Sequence, residues 1–176
     1  MELFFIVLRN VVIALLVLYL LIVIFDVIFV CSFRSMLSRH DHDLFMNLAN
    51  KKDNIEKLIP LLNSKNVKTD KKKVEALVNF DLKRVEHQDG EDAKLAREEL
   101  ASLSDYFLAL CRDNKEIKSL DEFILIENNL NELTTLYVNH VVMYNADILG
   151  YNFWISFFPT RYIYRILKIK SKNIIS

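Results

Sequence analysis

Residues 11–33 read VVIALLVLYLLIVIFDVIFVCSF, an apolar stretch that a single charged side chain, Asp26, interrupts. In an α-helix this stretch rises about 34 Å at about 1.5 Å per residue, which exceeds the roughly 30 Å hydrocarbon core of a bilayer. It is also longer than the apolar region of roughly 7–15 residues in a cleaved signal peptide. The stretch therefore predicts a transmembrane helix over 11–33, preceded by a short extracytoplasmic segment over 1–10.

The basic side chains near this span predict its orientation. Arg9 precedes the span, and four basic residues follow it closely: Arg34, Arg39, Lys51 and Lys52. Because the cytoplasmic flanks of membrane helices carry the excess of lysine and arginine, we expect the N-terminus outside and the rest of this single-pass chain in the cytoplasm. A span that begins at Leu3 is also long enough, but it would include Arg9, so we prefer 11–33.

Asp26 lies in the cytoplasmic third of the predicted span. A carboxylate at the bilayer centre costs on the order of 2.5–3.5 kcal/mol on insertion scales, and less toward an interface. Its position favours the interpretation that Asp26 is a polar residue that the membrane interface tolerates. The alternative is a buried contact with a second membrane helix, from another copy of the chain or from a partner. Under that alternative, Asp26 is a candidate intramembrane contact.

Glycine and proline are scarce, with two of each in 176 residues. A β-rich domain needs many turns, and turns use residues that tolerate positive φ or preset φ. Apolar residues at helical spacing instead predict helices over 44–63, 74–85, 93–112 and 121–151. Pro60 is expected to kink the first of these. The chain is therefore predicted to be all-α: an N-terminal transmembrane helix followed by an antiparallel bundle of long helices over 34–150.

The strongest periodic pattern lies in the last predicted helix. Apolar and tyrosine side chains alternate at steps of three and four, which is typical of a coiled-coil or bundle seam. The seam consists of Phe123, Ile126, Leu130, Leu133, Tyr137, Val141, Tyr144, Ile148 and Tyr151. A stripe of this length is not stable alone in water, so it is expected to be buried against other helices.

Short motifs accompany this seam at fixed spacing. Seven-residue steps separate Tyr144-Asn145, Tyr151-Asn152 and Phe158-Pro159. Further upstream lie Leu58-Ile59-Pro60 and Ile117-Lys118. In order and spacing, and with the N-terminal anchor, these residues resemble the LemA family of bacterial membrane proteins. Departures from the family pattern mark a divergent member: Leu61, Asn114-Lys115, Thr134-Thr135 and Val141. The resemblance implies a LemA-like helical bundle anchored in the bacterial inner membrane, in a family without an established biochemical activity.

The two Tyr-Asn pairs stand one heptad apart. A seven-residue step returns Tyr144 and Tyr151 to one helix face, and Asn145 and Asn152 to the adjacent face. The favoured interpretation is structural: tyrosine packs at a bundle edge, while asparagine bonds a neighbouring backbone. The alternative is that these residues, with Phe158 and Pro159, form a recognition ledge for a partner peptide or helix.

The C-terminal tail, residues 151–176, combines aromatic and basic side chains, and no acidic residue follows Asp147. Aromatic rings settle among lipid headgroups, and each lysine or arginine near an anionic surface contributes about 1 kcal/mol. The candidate membrane-interface residues are Trp154, Arg161, Arg165 and Lys168. The alternative is that the aromatic residues cap the bundle core. The basic-aromatic stretch is too short to favour nucleic acid as a partner.

Patterns of catalytic or metal-binding residues are weak in this sequence. The one concentrated set of potential metal ligands is His40-Asp41-His42-Asp43, and residues two apart on a helix do not share a face. His140 has no constellation of carboxylates or cysteines close to it in sequence. We therefore expect no metal, no cofactor, no small-molecule substrate and no enzymatic activity.

These patterns together predict a membrane-anchored, non-enzymatic scaffold or adaptor of the bacterial cell envelope. Its expected partners are the lipid bilayer and another membrane protein or a second copy of the chain. The alternative is a membrane-remodelling or membrane-organising module that acts on lipid directly.

Overall fold

The computed structural model describes residues 2–86, 90–157 and 160–175, and within these ranges it contains helices and connecting segments but no strand. In chain order the helices are α1 (Glu2–Glu56), α2 (Leu58–Ser64), α3 (Lys71–Val78), a 3₁₀ helix (Leu82–Val85), α4 (Glu91–Asp113), α5 (Lys115–Lys118), α6 (Asp121–Ser156) and α7 (Arg161–Ile166). The prediction of an all-α fold, with one long apolar N-terminal helix and a helical bundle, is confirmed.

The chain forms two compact units. The first, which we call the anchor unit, comprises residues 1–37 and 146–173. The second, the bundle unit, comprises residues 38–145 and 174–176. The two longest helices, α1 and α6, contribute residues to both units.

α1 continues without a break through the polar residues 34–43. The predicted start of a separate helix at Leu44 is therefore wrong. The chain has neither glycine nor proline before Pro60, so nothing in this stretch frees φ or removes a backbone donor. Pro60 has no N–H to bond the Glu56 carbonyl, which interrupts the helical hydrogen bonds where Lys57 separates α1 from α2. Lys57 keeps helical φ and ψ of −64° and −19°, so the interruption is local.

The predicted helix over 74–85 is two elements, α3 and the 3₁₀ helix, separated by residues 79–81. The Asp81 carboxylate accepts a hydrogen bond from the Lys83 N–H at 2.9 Å and so caps the start of the second element. Such caps compete with helix continuation, which explains why the apolar stripe did not produce one helix. Each element still contributes a fully buried side chain: Leu77 and Val85.

α4 is the centre of packing in the bundle unit, where it contacts α2, α3, α5 and the 3₁₀ helix. Its buried face includes Ala96, Leu100, Leu103, Phe107, Leu108 and Cys111. Leu58 and Leu62 of α2 and Ile117 of α5 are fully buried in the same core. Because full burial of a leucine or phenylalanine contributes about 1.5–3 kcal/mol, this core is the main source of stability in the bundle unit.

The seam predicted on the last helix is buried or half-buried along its length. Its buried members are Phe123, Ile126, Leu130, Tyr144, Ile148 and Tyr151, and its half-buried members are Leu133, Tyr137 and Val141. The Asn47 side-chain N–H donates a hydrogen bond to the Leu133 carbonyl at 3.0 Å, which joins α1 to α6 within the bundle unit. The seam is therefore a packing surface, as its periodicity predicts.

Alanine substitutions on α4 test this core directly. We expect Leu100→Ala to lower the free energy of unfolding by about 2–5 kcal/mol, because Leu100 is fully buried. Leu95 lies on the same helix with 54% of its surface exposed, so Leu95→Ala is the matched control and is expected to change stability by less than about 0.5 kcal/mol. Denaturant unfolding of the full chain in detergent, followed by circular dichroism, measures both. Equal losses for the two variants would contradict the described core.

Candidate membrane and partner surfaces

The N-terminal part of α1 is an apolar surface without protein cover. From Phe4 to Phe25 every side chain is exposed except Val23, which is half-buried. The stretch is apolar apart from Arg9 and Asn10. Among the described residues, α1 is the one helix long and apolar enough to cross a membrane. Residues 4–25 alone rise about 33 Å, which matches the roughly 30 Å hydrocarbon core.

From Asp26 onward, one face of α1 is covered within the anchor unit. Asp26, Val30 and Leu37 are buried, and their spacing of four and seven residues places them on a single face. The Trp154 ring of α6 stacks on Phe29, with centroids 4.6 Å apart and planes 2° from parallel. The cover therefore comes from the C-terminal part of the same chain.

Asp26 has a polar neighbour in its own chain. The residue is 1% exposed, and its carboxylate lies beside the hydroxyl of Tyr164, which is also buried. A tyrosine hydroxyl is a donor that a carboxylate can accept. Tyr164 is therefore a polar neighbour of Asp26, but among the described residues neither oxygen of the Asp26 carboxylate has a hydrogen-bond partner. The intramembrane contact of Asp26 with a second copy or a partner helix stays a prediction.

Gly150 permits α6 to approach α1 closely in the anchor unit. A Cβ atom placed on Gly150 would lie 2.6 Å from two ring atoms of Phe33, which is shorter than any normal carbon–carbon contact. Small residues at helix interfaces allow such approaches, and a larger residue here would have to displace the ring. One of the two glycines of the chain therefore has a packing role that the sequence analysis did not assign.

The asparagines of the two Tyr-Asn pairs each bind the C-terminal segment through two hydrogen bonds. The Asn152 side-chain N–H donates to the Lys172 carbonyl at 2.8 Å, and the Lys172 N–H donates to Asn152 Oδ1 at 3.0 Å. Asn145 makes the same pair of bonds with Ile175, at 2.9 and 2.8 Å. A side-chain amide has both a donor and an acceptor, so it can pair with a backbone as another peptide group would.

The seven-residue step between these asparagines has a geometric reason. Seven residues of helix rise about 10.5 Å, and three residues of extended chain span about 10 Å. Asn145 and Asn152, seven residues apart on α6, bond to Ile175 and Lys172, which are three residues apart in the segment after α7.

The tyrosines of the same pairs have a different role. Tyr144 is fully buried in the bundle unit. Tyr151 is buried in the anchor unit, where its hydroxyl donates to the Lys170 carbonyl at 3.3 Å. Both tyrosines therefore pack in the seam. Phe158 and Pro159 lie outside the described residues.

The candidate membrane-interface residues of the tail divide into two groups. Trp154 is half-buried against Phe29, so its ring packs on the chain itself. The basic members are exposed: Arg161, Arg165 and Lys168. Beside them on α7 and just after it, three large side chains are also exposed: Tyr162, Ile166 and Leu167. A short helix that exposes apolar and basic side chains together suits a headgroup region.

The bundle unit contains a cavity of about 310 Å³ that the sequence analysis did not predict. Its lining is mostly apolar, with basic groups at Lys51, Lys94 and Arg97. Burial lowers the pKa of the Lys51 ammonium, and nearby Asp105 opposes the shift. Burial raises the pKa of Tyr137, which also lines the cavity, and Arg97 opposes that shift. These residues come from three helices, so no motif within one stretch of the sequence predicts the cavity.

The two cysteines are free thiols, Cys31 exposed and Cys111 buried. Burial raises the pKa of the Cys111 thiol to about 11, and the nearby Glu127 carboxylate adds to the shift. A thiol with this pKa is protonated at neutral pH, and the thiolate is the nucleophilic form. Cys111 is therefore a packing residue of the core.

His140 has potential ligands near it in space, although it has none near it in sequence. Within the bundle unit His140 of α6 lies near His40 and Asp43 of α1, and one potential ligand atom from each lies within 4.8 Å of the others. The sequence around His140 does not indicate this cluster, because α1 and α6 bring together residues about 100 positions apart.

Neither a protein-family model, nor a curated protein, nor a solved structure matches this chain.

Removing one asparagine amide tests the attachment of the C-terminal segment. We expect Asn152→Ala to lower the hydrogen-exchange protection of the Lys172 amide about tenfold. The substitution removes the bond that the Lys172 amide donates to the Asn152 side chain, worth about 1 kcal/mol net, and also removes the reciprocal bond to the Lys172 carbonyl. Asn139 is exposed on the same helix, so Asn139→Ala is the matched control and should leave that protection unchanged. Exchange in detergent, read by mass spectrometry of the C-terminal peptide, measures the effect. Unchanged protection in Asn152→Ala would show that the segment is held in another way.

Proposed function

We propose that this chain is a membrane-anchored, non-enzymatic scaffold or adaptor of the bacterial cell envelope, and a divergent LemA-like protein. The observation that carries the proposal is α1, whose uncovered apolar stretch is long enough to cross a bilayer and whose later residues enter the bundle unit. A chain built in this way holds a folded helical surface at a membrane. The motif spacing on α6 supports the LemA-like assignment.

The proposed orientation has the N-terminus outside the inner membrane and the bundle unit in the cytoplasm. Its support is the charge distribution around the span, where Arg9 precedes the apolar stretch and Arg34 and Arg39 follow it. The tail adds Arg161 and Arg165, both exposed in the anchor unit. Basic side chains on this side would meet the anionic headgroups of the cytoplasmic leaflet.

A second apolar stripe on α6 supports an adaptor role. Within the bundle unit its members are exposed and four residues apart, so they share one helix face: Val138 and Val142. This face differs from the buried seam, and each member exposes more than half of its surface. The stripe is suited to packing against the apolar face of a helix from another membrane protein or from a second copy of this chain.

Photo-crosslinking from this stripe tests the proposal. A photoreactive residue at Val142 is expected to give light-dependent adducts in native membranes, because the proposed partner helix would lie against it. Leu136 is exposed six residues away, about 120° around the helix from Val142, and provides the control position. An adduct with another membrane protein supports the adaptor, and an adduct of twice the chain's mass supports a self-associating scaffold. Adducts no stronger at Val142 than at Leu136 would contradict both.

The second candidate function is a membrane-remodelling or membrane-organising module. The observation in its favour is the exposed apolar and basic surface of α7, with Ile166 80% exposed beside Arg165. Such a surface can insert among headgroups and displace lipid. Purified full-length protein in vesicles of anionic lipid separates the two candidates, because remodelling requires no partner protein. Deformation or clustering of these vesicles favours the module over the adaptor.

A further inference from the structure

Two histidines and one aspartate form a cluster inside the bundle unit. His40 and Asp43 stand three residues apart on α1, so their side chains share a face. His140 projects from α6, and its ring centroid lies 6.3 Å from that of His40. One potential ligand atom from each of the three residues lies within 4.8 Å of the other two.

A separate observation points to a ligand at this position. Among the described residues, the buried Nδ1 atom of His140 has no hydrogen-bond partner. A buried polar atom without a partner costs about 1–3 kcal/mol, and native proteins rarely leave one unexplained. An imidazole nitrogen with a free electron pair is also the commonest metal ligand in proteins.

We infer that His40, Asp43 and His140 form a binding site for a divalent transition-metal ion, with Zn²⁺ as its first candidate. Two imidazoles and one carboxylate are ligands that Zn²⁺ prefers, whereas Mg²⁺ and Ca²⁺ prefer oxygen ligands alone. Three protein ligands leave a fourth tetrahedral position for water or another group.

The geometry requires only small side-chain movements. Ligand atoms on one tetrahedral Zn²⁺ ion are about 3.3 Å apart, given bonds of about 2.0–2.1 Å. The present separations, up to 4.8 Å, therefore have to shorten by about 1.5 Å at most. His40 and His140 are half-buried and Asp43 is exposed, so the ion has access from solvent and the aspartate can turn toward it.

Metal binding here would connect α1 to α6 within the bundle unit. Asn47 already bonds the Leu133 carbonyl between the same two helices. An ion that binds the folded chain and not the unfolded one stabilises the folded state by mass action. The site thus makes the stability of the bundle unit dependent on metal.

The test uses purified full-length protein in detergent, prepared without a histidine tag and stripped with a chelator. Titration with Zn²⁺ against a competing chelator dye is expected to show one ion per chain, bound at micromolar concentration or more tightly, and no comparable binding of Mg²⁺. Saturating Zn²⁺ should also raise the melting temperature. His140→Gln and Asp43→Asn are each expected to weaken Zn²⁺ binding at least tenfold.

His42 and Asp41 provide matched controls, because they are neighbours in sequence that do not belong to the cluster. His42→Gln and Asp41→Asn should keep the wild-type affinity, and circular dichroism of every variant verifies the fold. The inference is overturned if the wild-type chain does not bind Zn²⁺ at micromolar concentration. It is equally overturned if His140→Gln and Asp43→Asn, still folded, bind as the wild type does.

Discussion

The apolar surface of α1 between Phe4 and Phe25 is the constraint on which the rest of the chain depends. Its side chains project on all sides of the helix, and they are exposed in the chain alone. A single packing partner covers one side of a helix, whereas a bilayer covers every side at once. The helix also satisfies its own backbone hydrogen bonds, which is the condition for entering lipid. The helix is therefore long and apolar enough to cross a bilayer, which is the environment that we propose for this surface.

Asp26 places a carboxylate on the buried face of this apolar helix, within the anchor unit. A buried carboxylate is costly without polar partners, and among the described residues neither of its oxygens has a hydrogen-bond partner. The same arrangement stacks Trp154 on Phe29 and brings Gly150 against Phe33. The C-terminal part of the chain is consequently part of the structure around α1, and the contacts of Asn152 hold the segment that follows α7.

Patterns within one stretch of the sequence predicted the helices whose formation depends on that stretch alone. The apolar run identified the membrane-competent helix, and the steps of three and four identified the seam of α6, because both periodicities are properties of one helix. Pro60 located an interruption of the helical hydrogen bonds for the same reason. The boundaries at Leu44 and within 74–85 were wrong, because polar residues do not end a helix and because the Asp81 cap competed with the stripe.

The contacts of the candidate sites depend on packing between distant segments, and one sequence does not reveal them. Nothing near His140 indicates His40, and nothing near Asn152 indicates Lys172. The Tyr-Asn repeat did indicate that the two asparagines share a face, but the identity of the bound backbone came from the structure. The cavity beside Tyr137 likewise combines residues from three helices and from the C-terminal segment.

Spin-label accessibility on α1 tests the central claim most directly. In a background of Cys31→Ser and Cys111→Ala, single cysteines at Leu16, Val17 and Leu18 sample all sides of the helix, and one at Leu95 samples the exposed surface of α4. For the full chain in vesicles, we expect oxygen to reach all three α1 labels and a water-soluble nickel complex to be excluded from them, while the nickel complex reaches Leu95. Nickel access at the three α1 positions equal to that at Leu95 would contradict membrane insertion of this helix.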